Sequence, residues 1–509
     1  MKRYIYFFAI AIAVFSSCTK ELEPVNPNVI TQVNFWKNET DVLSSLAATY
    51  KFLRSDAYNS YWGYKGVQMV NGRGDDFFIR NDDKNMYQVT TFSNTTTTSI
   101  PSGIFAGCYT GIFRANQIIE NVPNISMADT LKKKYIAEAK FLRALNYYHL
   151  ALYFSDVPII TKVPQERKDY FVKQSTQEMV WTQVVSDLEE AKSLLPIAYS
   201  SQWVGRATKG AAIGYLGKSY VYQKKWAEAE NEFKLLVTPT GQAQAPFSYN
   251  LLDNYEDNFL KGKDNNVESL FEIEMQNVGG SASYTSTENA NEGQGTVIAE
   301  GFAPTEVAGW FQGYPTNKMF DEFQKEKTIT GDFDPRMYAS IVWDYPGATF
   351  YNKPYTSFSV VFDKKSRIRK YQNWRDNNEG VFISEINEKA LRFSDILLLY
   401  AETLTMEGRV IEAYPLVNRI RTRAKLATLP VGYNQDQMMT EIRHQRMVEF
   451  FREGQRFLDL RRWGLLETEI ANSDKEGNQF FNLQKHAYFP IPQNEINTNP
   501  NIEQSPAWR

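Results

Sequence analysis

Apolar residues along this chain recur mostly at helical spacing. The clearest stretch is LRFSDILLLYAETLTMEGRVIEAYPLVNRIRTRA from Leu391, where Ile396, Leu397, Tyr400, Ala401 and Leu404 fall at steps of three and four and define one helical face. Glu407-Gly408 interrupts it, and a second face of Ala413, Leu416, Val417 and Ile420 begins nine residues after Leu404. Residues 209–237 repeat the design, with Ile213, Leu216, Gly217 and Tyr220 on a first helix and Ala229, Phe233 and Leu236 on a second. Gly217 to Ala229 and Ala401 to Ala413 share one spacing, that of the tetratricopeptide repeat, in which small residues let paired helices approach closely. Two short helices cannot bury both faces alone, so such hairpins need neighbours of the same kind. The pattern predicts a mainly α chain in which helical hairpins form a scaffold.

Further helices are expected over residues 38–54, 103–121, 131–154 and 176–195, and a last long one over 433–463. Two regions break the pattern. Residues 55–102 carry Tyr58, Tyr61, Trp62, Arg73, Asp75, Asp76 and Tyr87 among Gly, Asn and Asp without a sustained period, and read as an aromatic, amide-rich loop. Residues 242–387 read as an irregular insert with a few short strands, of which 267–275 (VESLFEIEM) is the clearest. The helical scaffold then spans 34–241 and 388–509.

The N-terminus reads as an address. Met1-Lys2-Arg3 precedes an apolar run over 4–14 that is too short to span a bilayer, then Ser16, Ser17 and Cys18. This is the pattern of a lipoprotein signal peptide over 1–17, with Cys18 the acylated new N-terminus, although Phe15 stands where Leu is commonest. Several acyl chains, at roughly 0.8 kcal/mol per buried methylene, would anchor the chain durably. Residues 18–33, rich in Pro, Asn and Glu, read as a tether. The only other cysteine is Cys108, so no disulfide framework competes for Cys18. The formal charge of −3 and the lack of a basic block argue against a nucleic-acid partner. Aromatic residues make up 14% of the chain, more than helix packing needs, so some rings are expected to face a ligand.

Four segments together resemble the SusD (RagB/SusD) family of outer-membrane lipoproteins. They are AEAKFLRALNYYHLALYFSDVPII from Ala137, GRATKGAAIGYLGKSYVYQKKWAEA from Gly205, LRFSDILLLYAETL from Leu391 and IRHQRMVEFFREGQRFLDLRRWG from Ile442. Ser155, Ser394 and Gln445 depart from the commonest family residues. NVESLFEI, DPRMYASI and YFPIPQNEINTNPNIEQ follow in the family's usual order, so the resemblance covers essentially the whole mature chain. It implies a lipid-anchored protein on the outer face of the cell outer membrane, the lid of a SusC-like TonB-dependent porin, that captures oligosaccharide or polysaccharide for import. Capture of peptides by the same architecture is the alternative, and a surface glycoside hydrolase a more distant one.

No catalytic residue, cofactor or metal is expected. His149, His444 and His486 are the only histidines and none has metal-ligand spacing, and neither an HExxH nor a G-x-S-x-G motif occurs. Glu453, Arg456, Asp459 and Arg462, at three-residue steps, are expected to share one helical stripe of mutually paired charges, with Arg392 and Glu402 in similar roles. Sugar rings present apolar faces edged by hydroxyls, which suits stacking on Trp or Tyr with hydrogen bonds from Asp and Arg. By position, the expected ligand-binding residues are Tyr61, Trp62, Arg73, Asp75, Asp76, Trp310, Tyr314 and Trp374.

Overall fold

The computed structural model describes residues 35–54, 61–276, 295–359, 364–379 and 384–509. The lipoprotein signal, Cys18 and the tether lie outside the described residues. Among the described residues no helix is long and apolar enough to cross a membrane.

The scaffold opens with α1 (Glu39–Phe52), started by a capping box between Asn38 and Asp41. Next come α2 (Tyr64–Gly72), β1 (Phe77–Ile79) and α3 (Lys84–Thr90), then the long helices α4 (Ser99–Asn121) and α5 (Asp129–Phe154). After α6 (Gln177–Leu194) follow α7 (Lys209–Tyr222) and α8 (Trp226–Leu236), the first hairpin read from the sequence. The second is α9 (Phe393–Met406) and α10 (Val410–Arg423), separated by Gly408 at φ 78°. From α4 to α10 each helix packs on the next, so α8 lies against α9 although the whole insert separates them in the chain. The two hairpins that share a spacing are thus neighbours in one file.

Small residues do what the spacing implied. A Cβ on Gly217 would collide with the Phe233 ring, so α7 and α8 can be this close only with glycine there. Gly214 similarly admits the side chains of Leu391 and Ile396. Helix α5 is the axis of the file and is buried almost all round from Tyr147 to Phe154. Its one deep cation, Arg143, is held by Asp187 of α6 at 2.7 and 2.8 Å and by Asn116 of α4 at 2.7 Å.

The insert is tied down by short antiparallel ribbons. β2 (Ser269–Ile273), shorter than the 267–275 run that predicted it, pairs with β4 (Glu388–Arg392) at the re-entry to the scaffold. β3 (Gly313–Pro315) pairs with β1, so the insert is also stitched to the segment expected to be a loop. That expectation is corrected: residues 61–90 form two helices and a strand whose residues from Gly66 to Ile79 are buried wherever described. Helices of nine and seven residues are too short to show a period.

The last long helix is also corrected. It divides into α11 (Gln435–Glu449) and α12 (Arg456–Trp463), with Arg452 at φ 63° and Gly454 at φ 70° turning the chain between them. The Gly454 amide donates to Asn71 Oδ1 at 2.9 Å, which docks this turn on α2. Glu453 therefore leaves the expected stripe. It pairs with Arg392 at 2.7 Å and Lys370 at 2.6 Å, while Asp459 meets Arg446 at 2.8 Å and Arg462 reaches Glu402. Asp459 and Arg462 also pair along α12 at 2.9 Å, as the stripe implied, while the other pairings run between elements.

Beneath the insert these pairs merge into a buried hub. Glu449 accepts from Arg392 at 2.9 Å, Arg423 at 2.6 Å and Arg336 at 3.3 Å. Arg392 also meets Glu268, and Arg336 meets Asp334 at 2.7 Å. Burial alone would raise the Glu449 carboxyl, but three guanidiniums hold it far below the usual range. Insert residues (Glu268, Asp334, Arg336, Lys370) and scaffold residues (Arg392, Arg423, Glu449, Glu453) alternate, so the hub locks one onto the other.

Candidate functional site

The expected ligand-binding residues fall into two groups. Trp62, Arg73, Asp75, Asp76 and Tyr314 are buried, at 7%, 2%, 0%, 3% and 4% exposure. Arg73 lies between the rings of Phe457 and Phe489, 3.9 and 4.1 Å from their centroids, and donates to the His486 carbonyl. Asp75 accepts from Arg456 at 2.6 and 2.8 Å and faces Lys318 at 2.7 Å. Burial pushes its carboxyl up, but Arg456 and Lys318 outweigh that and hold it at about 2. Asp76, without a cation of its own, is raised to about 7 by burial and by the Asp75 charge. Tyr314 stacks on Phe78 at 5.0 Å and on Phe311 at 5.9 Å. These side chains are turned to protein partners rather than outward, because the segment carrying them is packed frame and not loop.

Tyr61, Trp310 and Trp374 are half-buried. The Tyr61 ring stacks 3.6 Å from His149, its hydroxyl lies 3.3 Å from that of Tyr153, and Trp62 meets it edge-on. Trp310 packs edge-to-face on Tyr64 at 5.2 Å. Trp374 belongs to a different cluster, with Phe350, Tyr351 and Phe358. Tyr61 and Trp62 are together and Asp75 and Asp76 are together, but Trp374 is with neither pair.

Around Trp374 the insert carries an aromatic patch. A ribbon pairing Ile341 with Ile368 and Val342 with Arg367 sets Trp343 and Arg369 just beyond its strands. Trp343 lies 4.6 Å from Tyr345, 5.2 Å from Tyr338 and 5.4 Å from Phe333. Arg369 pairs with the Tyr345 hydroxyl and lays its guanidinium 3.3 Å over the Trp374 ring, while Arg375 approaches that ring to 5.0 Å and binds Glu256 at 2.6 Å. Phe333, Tyr338, Tyr345 and Trp374 are half-buried, and Asp344 and Arg375 are exposed. Half-covered rings edged by Arg, Asp and tyrosine hydroxyls can stack on the apolar face of a flat ligand and hydrogen-bond to its rim. Of this set only Trp374 was expected. Trp343 and Tyr345, two rings either side of Asp344 before a Pro-Gly turn, were the available signal, whereas Arg369 could not be found without the fold.

His149 and the free cysteine are buried in the frame. His149 is buried among Tyr61, Trp62 and Tyr148 and its pKa is pushed well below the usual value by burial. Cys108 is buried and its thiol pushed up to about 12. Among the described residues no group of three or more His, Cys, Asp or Glu could hold a metal ion.

Architecturally the molecule is a tetratricopeptide-like helical frame presenting a loop-rich insert. Two family models match it in sequence, one described as the SusD family over residues 267–508 and one as "Starch-binding associating with outer membrane" over residues 39–221. A SusD superfamily protein from Bacteroides vulgatus superposes with a TM-score of 0.83 at 34% identity, covering 93% of this chain and 100% of that one. A laminarin-binding SusD-like protein superposes with a TM-score of 0.76 at 26% identity, covering 92% of this chain and 100% of its own. SusD-like protein P2 of Formosa agariphila is 24% identical over 526 residues, 99% of each chain. The chain belongs to the SusD family.

Proposed function

We propose that this protein is a surface lipoprotein that captures oligosaccharide or polysaccharide and passes it to a SusC-like TonB-dependent porin in the outer membrane. Family membership supports the ligand class, since a SusD-like relative with 26% identity over the whole fold is named for binding laminarin. The observation that carries the reading to a place in this chain is the patch of half-covered rings Phe333, Tyr338 and Tyr345 around buried Trp343, bridged to half-covered Trp374 by Arg369. Rings of this kind hold sugars by stacking, with modest affinity that permits release to a transporter. Trp374, Tyr345 and Tyr338 are the proposed platform, with Arg369 and Asp344 at its edge. Trp310 and Tyr61 are proposed as outlying contacts because each keeps part of its surface open.

The role is binding without turnover. A glycosidase needs two available carboxyl groups about 5 to 10 Å apart. Asp75, one of the carboxylates expected at the site, is fully buried and already neutralised by Arg456 and Lys318.

Affinity gel electrophoresis of the chain lacking signal and tether, against laminarin, starch and other polysaccharides, tests the ligand class. Retardation by a glycan supports capture. Heat released on titrating peptides, with no glycan retardation, moves the ligand class to peptides. Anchorage is tested separately: Cys18→Ala is expected to abolish lipid labelling and release the protein from the outer membrane.

A further inference from the structure

A second concavity lies away from the aromatic patch. One stripe of α4, running Phe105, Tyr109, Ile112 and Asn116, faces no long helix across this concavity. It faces instead the irregular segment from Pro158 to Phe171 and a short C-terminal helix, α13 (Gln493–Thr498), with Ile502 beyond it. Irregular chain cannot interdigitate with a helical stripe as another helix would, and a cavity of about 350 Å³ remains. That size falls in the range of small-molecule sites.

Its walls are pinned. Tyr109 donates to the Pro158 carbonyl at 2.6 Å, and Asn116 to the carbonyls of Ile160 and Lys162 at 3.0 and 3.3 Å. Asn499 donates to the Val172 carbonyl at 2.9 Å and Asn501 to that of Phe171 at 2.5 Å, which ties the C-terminal segment to the loop. These amides and the phenol therefore spend their donors on the walls and leave a lining mostly of aromatic and aliphatic carbon, with Arg167, Tyr170 and Thr498 at its exposed edge. One polar group is different. Glu495 lines the cavity, is half-buried, and its carboxylate accepts no hydrogen bond from any described residue. A half-buried carboxylate with no protein donor is open to accept a hydrogen bond from a ligand in the cavity.

We infer that this cavity is a binding site for a small aromatic molecule carrying a single hydrogen-bond donor, a phenol or its like, with the ring among Phe105, Tyr109, Ile112 and Phe171 and the donor on Glu495. A ring of one or two cycles fits the volume, and the lining offers edges and faces for it, with Arg167 and Thr498 the further polar side chains at its exposed edge. The site is distinct from the proposed glycan platform, which shares none of its lining residues.

The test uses two probes of the same shape, p-cresol and 4-methylanisole, which differ in the donor. Saturation-transfer and titration NMR on the full chain are expected to show p-cresol binding at least tenfold more tightly. Glu495→Leu should erase that preference, and Ala106→Trp, at an exposed position on the cavity's rim, should block both probes without disturbing the fold. Failure of the wild-type chain to bind p-cresol, equal binding of the two probes, or p-cresol binding that survives Ala106→Trp would overturn the proposal. None of these outcomes bears on glycan capture, which is read with polysaccharide on the other face.

Discussion

The buried hub under the insert and the aromatic patch on it use opposite chemistry. At the hub, Arg336 and Glu449 are 0% exposed and every charge has an opposite neighbour. On the patch, Phe333, Tyr338, Tyr345 and Trp374 are only half covered, around a buried Trp343, and the charged groups Asp344 and Arg375 stand in solvent. The difference separates the residues that look chemical from those that are free to act. Arg392, Glu449, Glu453 and Asp75 carry charge, yet each is saturated by protein. Recognition is proposed to fall to half-covered rings, of which the sequence singled out Trp374.

The largest effect that would break this contrast comes from the hub. Glu449→Gln leaves Arg392, Arg423 and Arg336 sharing one fewer buried charge, and removing one partner from such a site costs about 3–5 kcal/mol. Denaturant unfolding should show that loss, while the folded fraction keeps its glycan affinity. Asp75→Asn, which strips Arg456 and Lys318 of their shared carboxylate, should cost about 2–3 kcal/mol. The wild-type protein is expected to release no reducing sugar from any glycan it binds. Turnover that disappears in Asp75→Asn would place Asp75 on the reactive side of the comparison.

Changes to the patch should have the reverse profile. Trp374→Ala is expected to weaken glycan binding tenfold or more, about 1.4 kcal/mol, with a smaller change in unfolding stability than either carboxylate variant. Calorimetric titration and thermal unfolding of the same sample separate the two quantities.

The smallest effect is one of pH. His444 on α11 lies 2.6 Å from Glu322 and 3.3 Å from Glu326 of the insert. Burial lowers its pKa, but the hydrogen-bonded carboxylates more than offset that and raise it to about 9. Because the folded value lies above the unfolded one of about 6.5, its contribution is complete below about pH 6.5 and is lost as pH rises through 9. Stability should therefore fall across pH 7–9.5, and His444→Gln should flatten that slope.

What the sequence made legible follows from what has a period. Gly217, Ala229, Ala401 and Ala413 marked two hairpins correctly, and their shared register corresponds to adjacency of α8 and α9 in one file. Residues 61–90 were misread because Asn71, Arg73, Asp75 and Asp76 interrupt any apolar pattern, and their burial depends on partners as remote as Gly454, Phe457, Arg456 and Lys318. The break between α11 and α12 was missed because Arg452, a residue that seldom takes positive φ, does so here beside Gly454. The patch was half visible: its tryptophans could be counted, but Arg369 comes to lie between Tyr345 and Trp374 only because a two-residue ribbon brings positions 341 and 368 together.

The most direct measurement is affinity electrophoresis of the wild-type chain, Trp374→Ala and Asp75→Asn side by side in laminarin and starch gels. Glycan capture on the patch requires that wild type and folded Asp75→Asn be retarded by the same polysaccharide and that Trp374→Ala run free. Retardation that survives in Trp374→Ala, or a wild-type chain that no polysaccharide slows, would contradict it.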